Sequence, residues 1–399
     1  MIRHTPFHPR TAAANETGLW SHWSGYLAAD RYQMSDKFEY FAIRNSVGVF
    51  DTSPLYKYRF TGPDAERYLA GVLLRDVRKC RPGQAIYTVW CDDDGWVLED
   101  GVVLRVSGDE FLLTAARANL AYFQDLAMGY SVEINDVSDE FGALAVQGPR
   151  SRRVLAELAP EVESLGFFRL GQAKIGDVAV TVSRTGYTGD LGYEIWVESD
   201  KAVAVWDRLL ETGSGHGMIP VGQIAVLIAR IEAGLVLIDV DFHSARYAWN
   251  DDQRVTPIEL GMGWMLRRLD EDDRAFIGRK AIEREIDDGS SRWRTVGIVV
   301  DWQAWARAHS ERGLITPKDH TPQHGGMMLY DADLDRIGYV PSFVYSPVLQ
   351  RHVGIGRLRP EHAATGSKVG LEVTIDHRYE VVDAEVRPLP FFNPERKTA

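Results

Sequence analysis

The sequence has few cysteines and no long apolar run. Only two of the 399 residues are cysteine, Cys80 and Cys91. Their spacing matches neither a CxxC redox motif nor a zinc pattern, and a secreted chain of this length usually carries more, so we expect free thiols and a cytoplasmic location. The most apolar stretch, residues 218–229, falls far short of the roughly 20 residues that span a bilayer and contains Pro220 and Gly222. We therefore expect no membrane partner.

Clusters of positive charge are also absent. The chain has 45 Lys and Arg against 57 Asp and Glu, a formal net charge of −12. This balance gives no electrostatic footprint for nucleic acid or for an acidic membrane surface. The first ten residues include basic side chains but no apolar run follows them, so no secretory signal is predicted. An anionic ligand would need a local binding site.

The common motifs of nucleotide, zinc and hydrolase sites are missing as well. We find no GxxxxGK[ST], no strand-linked GxGxxG, no HExxH and no GxSxG. His320 and His324 have the i, i+4 spacing of a helical metal pair, but Pro322 lies between them, which favours a solvated loop. No metal site is predicted. With 45% apolar and 26% charged residues, the chain is typical of a soluble multidomain protein.

Alternating hydrophobicity predicts much of the first 290 residues. Three strands over residues 85–90, 96–106 and 110–114, joined by the acidic turn DDDG and by SGD, predict an antiparallel meander. Buried or half-buried strands are also expected over residues 47–51 and 55–60. Helices are predicted over residues 37–44, 65–74, 119–128, 150–159 and 201–212.

After about residue 290 the pattern changes to successive short strands. In residues 369–375 apolar side chains alternate with polar ones, the period of a half-buried strand. The polar stretch 287–292 is the best candidate for a linker. We expect a C-terminal antiparallel β domain, a barrel or a jelly roll, with strands over residues 294–301, 326–330, 336–340, 352–358, 369–375 and 381–388.

Several longer segments carry a family resemblance through their order along the chain. They are DTSPL (51–55), TGPDA (61–65), PGQAIYT (82–88), GWVLED (95–100), LAVQGP (144–149), SRTGYTGDLGYEI (183–195), RIEAG (230–234), TPIELGMGW (256–264) and FIGR (276–279). Together they resemble the tetrahydrofolate-binding aminomethyltransferase family, which includes the T-protein of the glycine cleavage system. The resemblance implies an α+β, three-lobed fold with folate in a central opening. Two interleaved α+β lobes would occupy residues 1–286, and a C-terminal antiparallel β-barrel residues 293–399.

Asp100 is the candidate catalytic residue. It ends a predicted strand whose apolar members Trp96 and Leu98 share its face, so it should point inward, where a carboxylate is costly without a partner. The resemblance implies an acid beside the folate amine that receives the one-carbon unit. A fixed carboxylate there can relay the proton that this amine loses. The alternative is a plain turn carboxylate in an acidic hairpin.

The resemblance also indicates five ligand-binding residues. Glu194 follows a glycine-rich turn, and one carboxylate can accept two hydrogen bonds from the adjacent N–H groups of a pteridine; the alternative is an exposed strand position. Trp264 could offer a flat aromatic face to a ligand, and the alternative is a core tryptophan. The same two interpretations apply to Tyr187. Leu55 and Phe111 fall where the family lines its folate pocket, although a core needs the same residue types.

Departures from the T-protein pattern bear on the donor. Val226 and Leu227 occupy the positions of an Arg-Asp pair, Ala115 replaces an Asn, and the segment between Gly234 and Thr256 is longer. We therefore predict an enzyme that moves a methyl or aminomethyl group from a small-molecule donor to tetrahydrofolate, a demethylase-type reaction. The alternatives are the T-protein reaction on a lipoyl carrier protein and a non-enzymatic folate-binding protein.

Overall fold

The computed structural model of the protein describes residues 2–399. Within them the helices are α1 (His8–Ala14), α2 (Asp36–Asn45), α3 (Ala65–Val72), α4 (Leu120–Leu126), α5 (Ser151–Leu158), α6 (Ala202–Ser214), α7 (Gln223–Glu232), α8 (Arg279–Asp288) and α9 (Trp302–Ser310). The strands are β1 (Trp20–Trp23), β2 (Tyr26–Ala29), β3 (Val47–Asp51), β4 (Tyr56–Thr61), β5 (Gln84–Cys91), β6 (Val97–Arg105), β7 (Glu110–Ala115), β8 (Glu133–Asp136), β9 (Phe141–Gln147), β10 (Leu170–Ile175), β11 (Val178–Ser183), β12 (Gly192–Glu198), β13 (Met218–Pro220), β14 (Arg294–Val300), β15 (Gln323–Tyr330), β16 (Arg336–Ser346), β17 (Arg351–Leu358), β18 (Lys368–Ile375) and β19 (Arg378–Arg387).

The first lobe is built on a six-stranded sheet of order β10-β11-β12-β9-β3-β13. Its interior strands β3 and β9 are apolar along nearly their whole length, as expected for strands covered on both faces. Helices α5 and α6 bury Val154, Trp206 and Leu209 in the core of this lobe. Helices α2 and α7 contribute Ile43 and Ile228 to a separate core cluster.

The second lobe contains a five-stranded sheet of order β5-β6-β7-β4-β8. The predicted meander is confirmed, since β5, β6 and β7 pair antiparallel in sequence. Helices α3 and α4 cover one face through Leu69 and Phe123. The chain enters this lobe after β3, returns to the first lobe at β9, and packs residues 236–282 back on the second lobe. The predicted interleaving of two lobes is therefore confirmed.

The third lobe is a closed barrel of order β14-β17-β16-β15-β18-β19. Its interior is filled by buried aliphatic side chains such as Ile298, Leu329 and Leu371. The predicted C-terminal antiparallel barrel is confirmed. Helix α8 ends at Asp288 and β14 begins at Arg294, and the domain boundary between residues 286 and 293 stays a prediction.

The expectation of a loop of solvated histidines is wrong in one respect for each residue. His320 lies in the loop before β15, where its Nε2 is 2.9 Å from Oδ2 of Asp36, and this ion pair raises the pKa of His320. His324 is exposed, but it belongs to β15, which begins three residues earlier than predicted. The acid at the start of α2 is remote in sequence, so the spacing of the histidines could not reveal it.

Buried polar groups join the lobes. Glu232 at the end of α7 accepts hydrogen bonds from Tyr40 Oη at 2.6 Å, Arg44 Nε at 2.9 Å and Ser346 Oγ of the barrel at 2.5 Å. Removing one partner of a buried ion pair costs about 3–5 kcal/mol, so this cluster holds α2, α7 and β16 in a fixed arrangement. Every helix in residues 2–399 is too short or too polar to cross a bilayer.

Candidate active site

A cavity of about 610 Å³ is lined by residues from the sheets of the first two lobes. Its volume lies in the range of about 300–1,000 Å³ that is usual for small-molecule sites. Strands β5, β6 and β7 form one side, and β9 and β12 form the other. Residues 235–238, Trp264 and Lys397 also contribute to the wall. The cavity is therefore placed where the interleaved lobes meet.

Asp100 of β6 lies in the wall of this cavity. The hydroxyl of Tyr87, on the neighbouring strand β5, donates a hydrogen bond of 2.8 Å to its Oδ2. Burial raises the pKa of Asp100 to about 6 from an ordinary value of 3.8, and the charge of Asp241 adds to the rise, while the hydrogen bond from Tyr87 opposes it. A carboxylate that titrates close to neutral pH can both accept and return a proton.

Glu99 is buried and has a different role from its neighbour. Because successive strand residues point to opposite faces, its side chain is directed away from the cavity. It accepts hydrogen bonds from the backbone N–H groups of Ala116 and Arg117 and from the side-chain amide of Asn119. Burial, together with the charge of Asp100, raises its pKa. Glu99 therefore fixes the turn that follows β7.

Glu194 of β12 reaches the same cavity from the opposite sheet. It lies beside Ala145 of β9 in the strand register. Among residues 2–399, only the hydroxyl of Thr185 donates a hydrogen bond to its carboxylate, and burial raises its pKa. A carboxylate can accept about four hydrogen bonds. Most of the acceptor capacity of Glu194 is thus left for a ligand.

Three other predicted site residues also line the cavity: Leu55, Tyr187 and Trp264. Tyr187 Oη donates a hydrogen bond of 2.6 Å to the carbonyl of Val236, so its ring is held against the segment 235–238. Trp264 is 44% exposed and marks the open side of the cavity. The structure therefore brings together five of the six predicted residues, counting Asp100 and Glu194.

Phe111 is the exception, and its assignment to the folate pocket is corrected. Its side chain is 0% exposed and belongs to the core of the second lobe. It lies opposite Phe60 of β4 and on the same strand face as Leu113. Of the residues of β7, only Thr114 and Ala115 at its end line the cavity. The side chain of Phe111 packs instead on the helix-covered face of the sheet.

Sequence reasoning missed several cavity residues. Tyr87 could have been found, because Val89 pairs with Asp100 across β5 and β6, and a residue two positions away is a diagonal neighbour. Gln147 is buried and accepts a 2.9 Å hydrogen bond from the hydroxyl of Thr188. A Cβ at Gly186 would clash with the Gln147 side chain. This packing explains why position 186 requires a glycine.

Arg75 and Lys397 are the cations in the cavity wall, and no motif marked either. Lys397 comes from the C-terminal end, which Arg396 anchors. The Nε of Arg396 donates a hydrogen bond of 2.7 Å to Oδ1 of Asp190. Burial lowers the pKa of Lys397. Nothing in the sequence indicates that the C-terminal end folds back on the first lobe.

The fold defines a three-lobed protein with a cavity between its first two lobes, and known proteins share this architecture. The crystal structure of glycine cleavage system aminomethyltransferase T from Bartonella henselae superposes with a TM-score of 0.82, at 23% identity over 98% of this chain and 99% of that one. At this identity the likeness establishes the fold.

Sequence comparison establishes the family. Residues 5–269 match the GCVT N-terminal domain, and residues 312–393 match the glycine cleavage T-protein C-terminal barrel domain. The chain is 32% identical to the aminomethyltransferase of Halothermothrix orenii, over 88% of this chain and 90% of that protein, and 30% identical to that of Oceanobacillus iheyensis, over 91% of both. The chain belongs to the glycine cleavage T-protein family. Family membership and the prediction of a one-carbon transferase are confirmed.

Proposed function

We propose that the chain transfers a one-carbon unit to tetrahydrofolate bound in the cavity between the first two lobes. The observation that carries this proposal is the meeting of two carboxylates, Asp100 from one sheet and Glu194 from the other, in the wall of one cavity of about 610 Å³. Aromatic and aliphatic side chains form much of the remaining wall, as a planar pteridine requires.

The two carboxylates have separate roles in this proposal. Glu194 accepts hydrogen bonds from the pteridine edge, for which it has unused acceptor capacity. Asp100 takes the proton that the acceptor amine of the folate loses when it bonds to carbon, and its raised pKa suits proton exchange near neutrality. Lys397, a cation of the cavity wall, adds a positive charge that favours an anionic ligand.

The relatives favour an aminomethyl group as the unit transferred. Those cited above are named aminomethyltransferases, and the corresponding reaction uses a lipoyl carrier protein as donor. The carbon exchanges its bonds to the lipoyl sulfur and to its amino nitrogen for bonds to two folate nitrogens. The two folate N–H protons pass to the sulfur and to the amino group, so the carrier is left as a dihydrolipoyl thiol and ammonia leaves. This reaction replaces the small-donor demethylation as the first candidate.

Transfer of a methyl group from a small donor is the second candidate. Val226 supports it, because this residue lines the cavity at the position where the T-protein pattern has an arginine. An apolar side chain there removes a charged contact and changes what the cavity can hold. The donor would be a methylamine or betaine-like compound, a sulfonium or a methoxy-aryl compound.

Single-turnover assays distinguish the two candidates. The full chain with tetrahydrofolate is given either an aminomethyl-loaded lipoyl carrier or trimethylglycine, and methylene- and methyl-tetrahydrofolate are measured. Methylene-tetrahydrofolate and ammonia from the carrier support the first candidate, and methyl-tetrahydrofolate from the small donor supports the second. Failure of the wild-type chain to bind tetrahydrofolate would contradict both.

A further inference from the structure

Arg75 is a cation without an acidic partner in the cavity wall. Its guanidinium Nη1 makes a 3.3 Å hydrogen bond to the carbonyl of Tyr87, and its charge lies 5.3 Å from the ring centre of Trp264. Within residues 2–399 no Asp or Glu oxygen lies within 4 Å of this guanidinium. Asp76, its neighbour in sequence, is bound instead to Arg78 at 2.9 Å.

The position of Arg75 is fixed by the strand beside it. Its backbone N–H donates a 3.1 Å hydrogen bond to the hydroxyl of Thr88, which is buried in β5. The guanidinium therefore lies on the Asp100 side of the cavity and next to half-exposed Trp264 at the open side. Partial burial lowers the pKa of Arg75. A guanidinium held in this way keeps most of its donors for a ligand.

We propose that Arg75 binds a carboxylate of the ligand at the open side of the cavity. The ion pair between the guanidinium and this carboxylate would hold the one-carbon donor or the folate there. This inference rests on the proposed function and narrows its substrate class. A planar guanidinium matches a carboxylate with two parallel hydrogen bonds. Apart from Lys397 of the C-terminal end, the other charged side chains of the wall, Asp100, Asp190 and Glu194, are acidic. Arg75 is thus the cation that the second lobe contributes for an anion.

Binding of matched ligands to the full chain tests this role. The donor arm compares trimethylglycine and 4-methoxybenzoate with their amides, in the presence of saturating tetrahydrofolate. The folate arm compares tetrahydrofolate with tetrahydropteroate, which lacks the glutamate carboxylates. Arg75→Ala is measured beside Arg75→Lys and beside the control Arg78→Ala, which removes an exposed arginine outside the cavity.

We expect Arg75→Ala to weaken the binding of a carboxylate ligand roughly 10- to 100-fold. Arg75→Lys should recover part of this affinity, and Arg78→Ala should bind the ligand as the wild type does. A loss confined to the acid forms in the donor arm assigns the carboxylate to the donor; a loss for tetrahydrofolate but not tetrahydropteroate assigns it to the folate. Equal binding by wild type and Arg75→Ala in both arms overturns the proposal. In that case tetrahydrofolate binding by the wild type still supports the proposed function separately.

Discussion

Replacing Asp100 by asparagine should separate the catalytic role of this residue from its cost to stability. The amide keeps the size of the side chain, and its oxygen can still accept the hydrogen bond that Tyr87 donates at 2.8 Å. It cannot take a proton, however. We therefore expect turnover to fall by roughly 10²–10⁴-fold, the usual contribution of a general acid–base group.

The same change should make the protein more stable. The pKa of Asp100 rises from 3.8 to about 6 on folding, so the unfolded chain loses this proton first as the pH rises. The protonated group therefore favours the folded state below about pH 4, and this advantage is lost as the pH rises through about 6. At about 1.36 kcal/mol per pH unit, the charged carboxylate destabilises the wild type by up to about 3 kcal/mol above pH 6.

Denaturant unfolding between pH 4 and pH 8, together with single-turnover rates, measures both effects on one preparation. We expect Asp100→Asn to be the more stable protein at pH 7.5 and the difference to shrink towards pH 4. A folded variant with near-normal turnover would remove Asp100 from the mechanism. Lower stability at pH 7.5 would show that the carboxylate makes a stabilising contact that the amide cannot reproduce.

Three further substitutions test the other assignments. Glu194→Gln should weaken tetrahydrofolate binding by about 1.5–3 kcal/mol in calorimetric titration, because the amide replaces an acceptor with a donor, while turnover at saturation changes less. Tyr87→Phe removes the hydrogen bond that favours the charged form of Asp100. The pKa of Asp100 should then rise by about one unit, and the pH at which the rate falls in acid should rise with it. Phe111→Leu should cost on the order of 1 kcal/mol in denaturant unfolding and leave folate affinity unchanged, since the residue is in the core.

Each of these has an outcome that contradicts it. Unchanged folate affinity in folded Glu194→Gln would place the pteridine elsewhere. An acid limb that does not move in Tyr87→Phe would show that Asp100 does not control the pH dependence of the rate. Loss of folate affinity in a stable Phe111→Leu variant would return that residue to the binding site. Leu55→Ala is the control for Phe111→Leu, because Leu55 lines the cavity and Phe111 does not.

Strands with local partners were predictable from the sequence. The meander β5-β6-β7 and the barrel strands show period-2 alternation and are joined by turns rich in Gly and Asp, so pattern and turn chemistry agree. The pairing of β13 with β3 was not predictable, because it joins Met218 to Val47 across 171 residues. Nothing local specifies such a contact.

The cavity shows the same division. Asp100, Glu194 and Tyr187 lie in segments with a family signature and do line the cavity. Phe111 was misplaced because an aromatic residue suits a core and a ligand pocket equally, and only the sheet face distinguishes them. Arg75 escaped notice because an arginine between Leu74 and Asp76 has the pattern of an ordinary surface residue.

Calorimetric titration of tetrahydrofolate into the full chain at pH 7.5 tests the central claim most directly, with Glu194→Gln titrated beside it. We predict saturable binding at one site and a rise in melting temperature with ligand concentration. The variant should bind tetrahydrofolate at least roughly tenfold more weakly than the wild type. The absence of binding to the folded wild type at concentrations far above those of a cofactor would contradict the assignment of the cavity to folate.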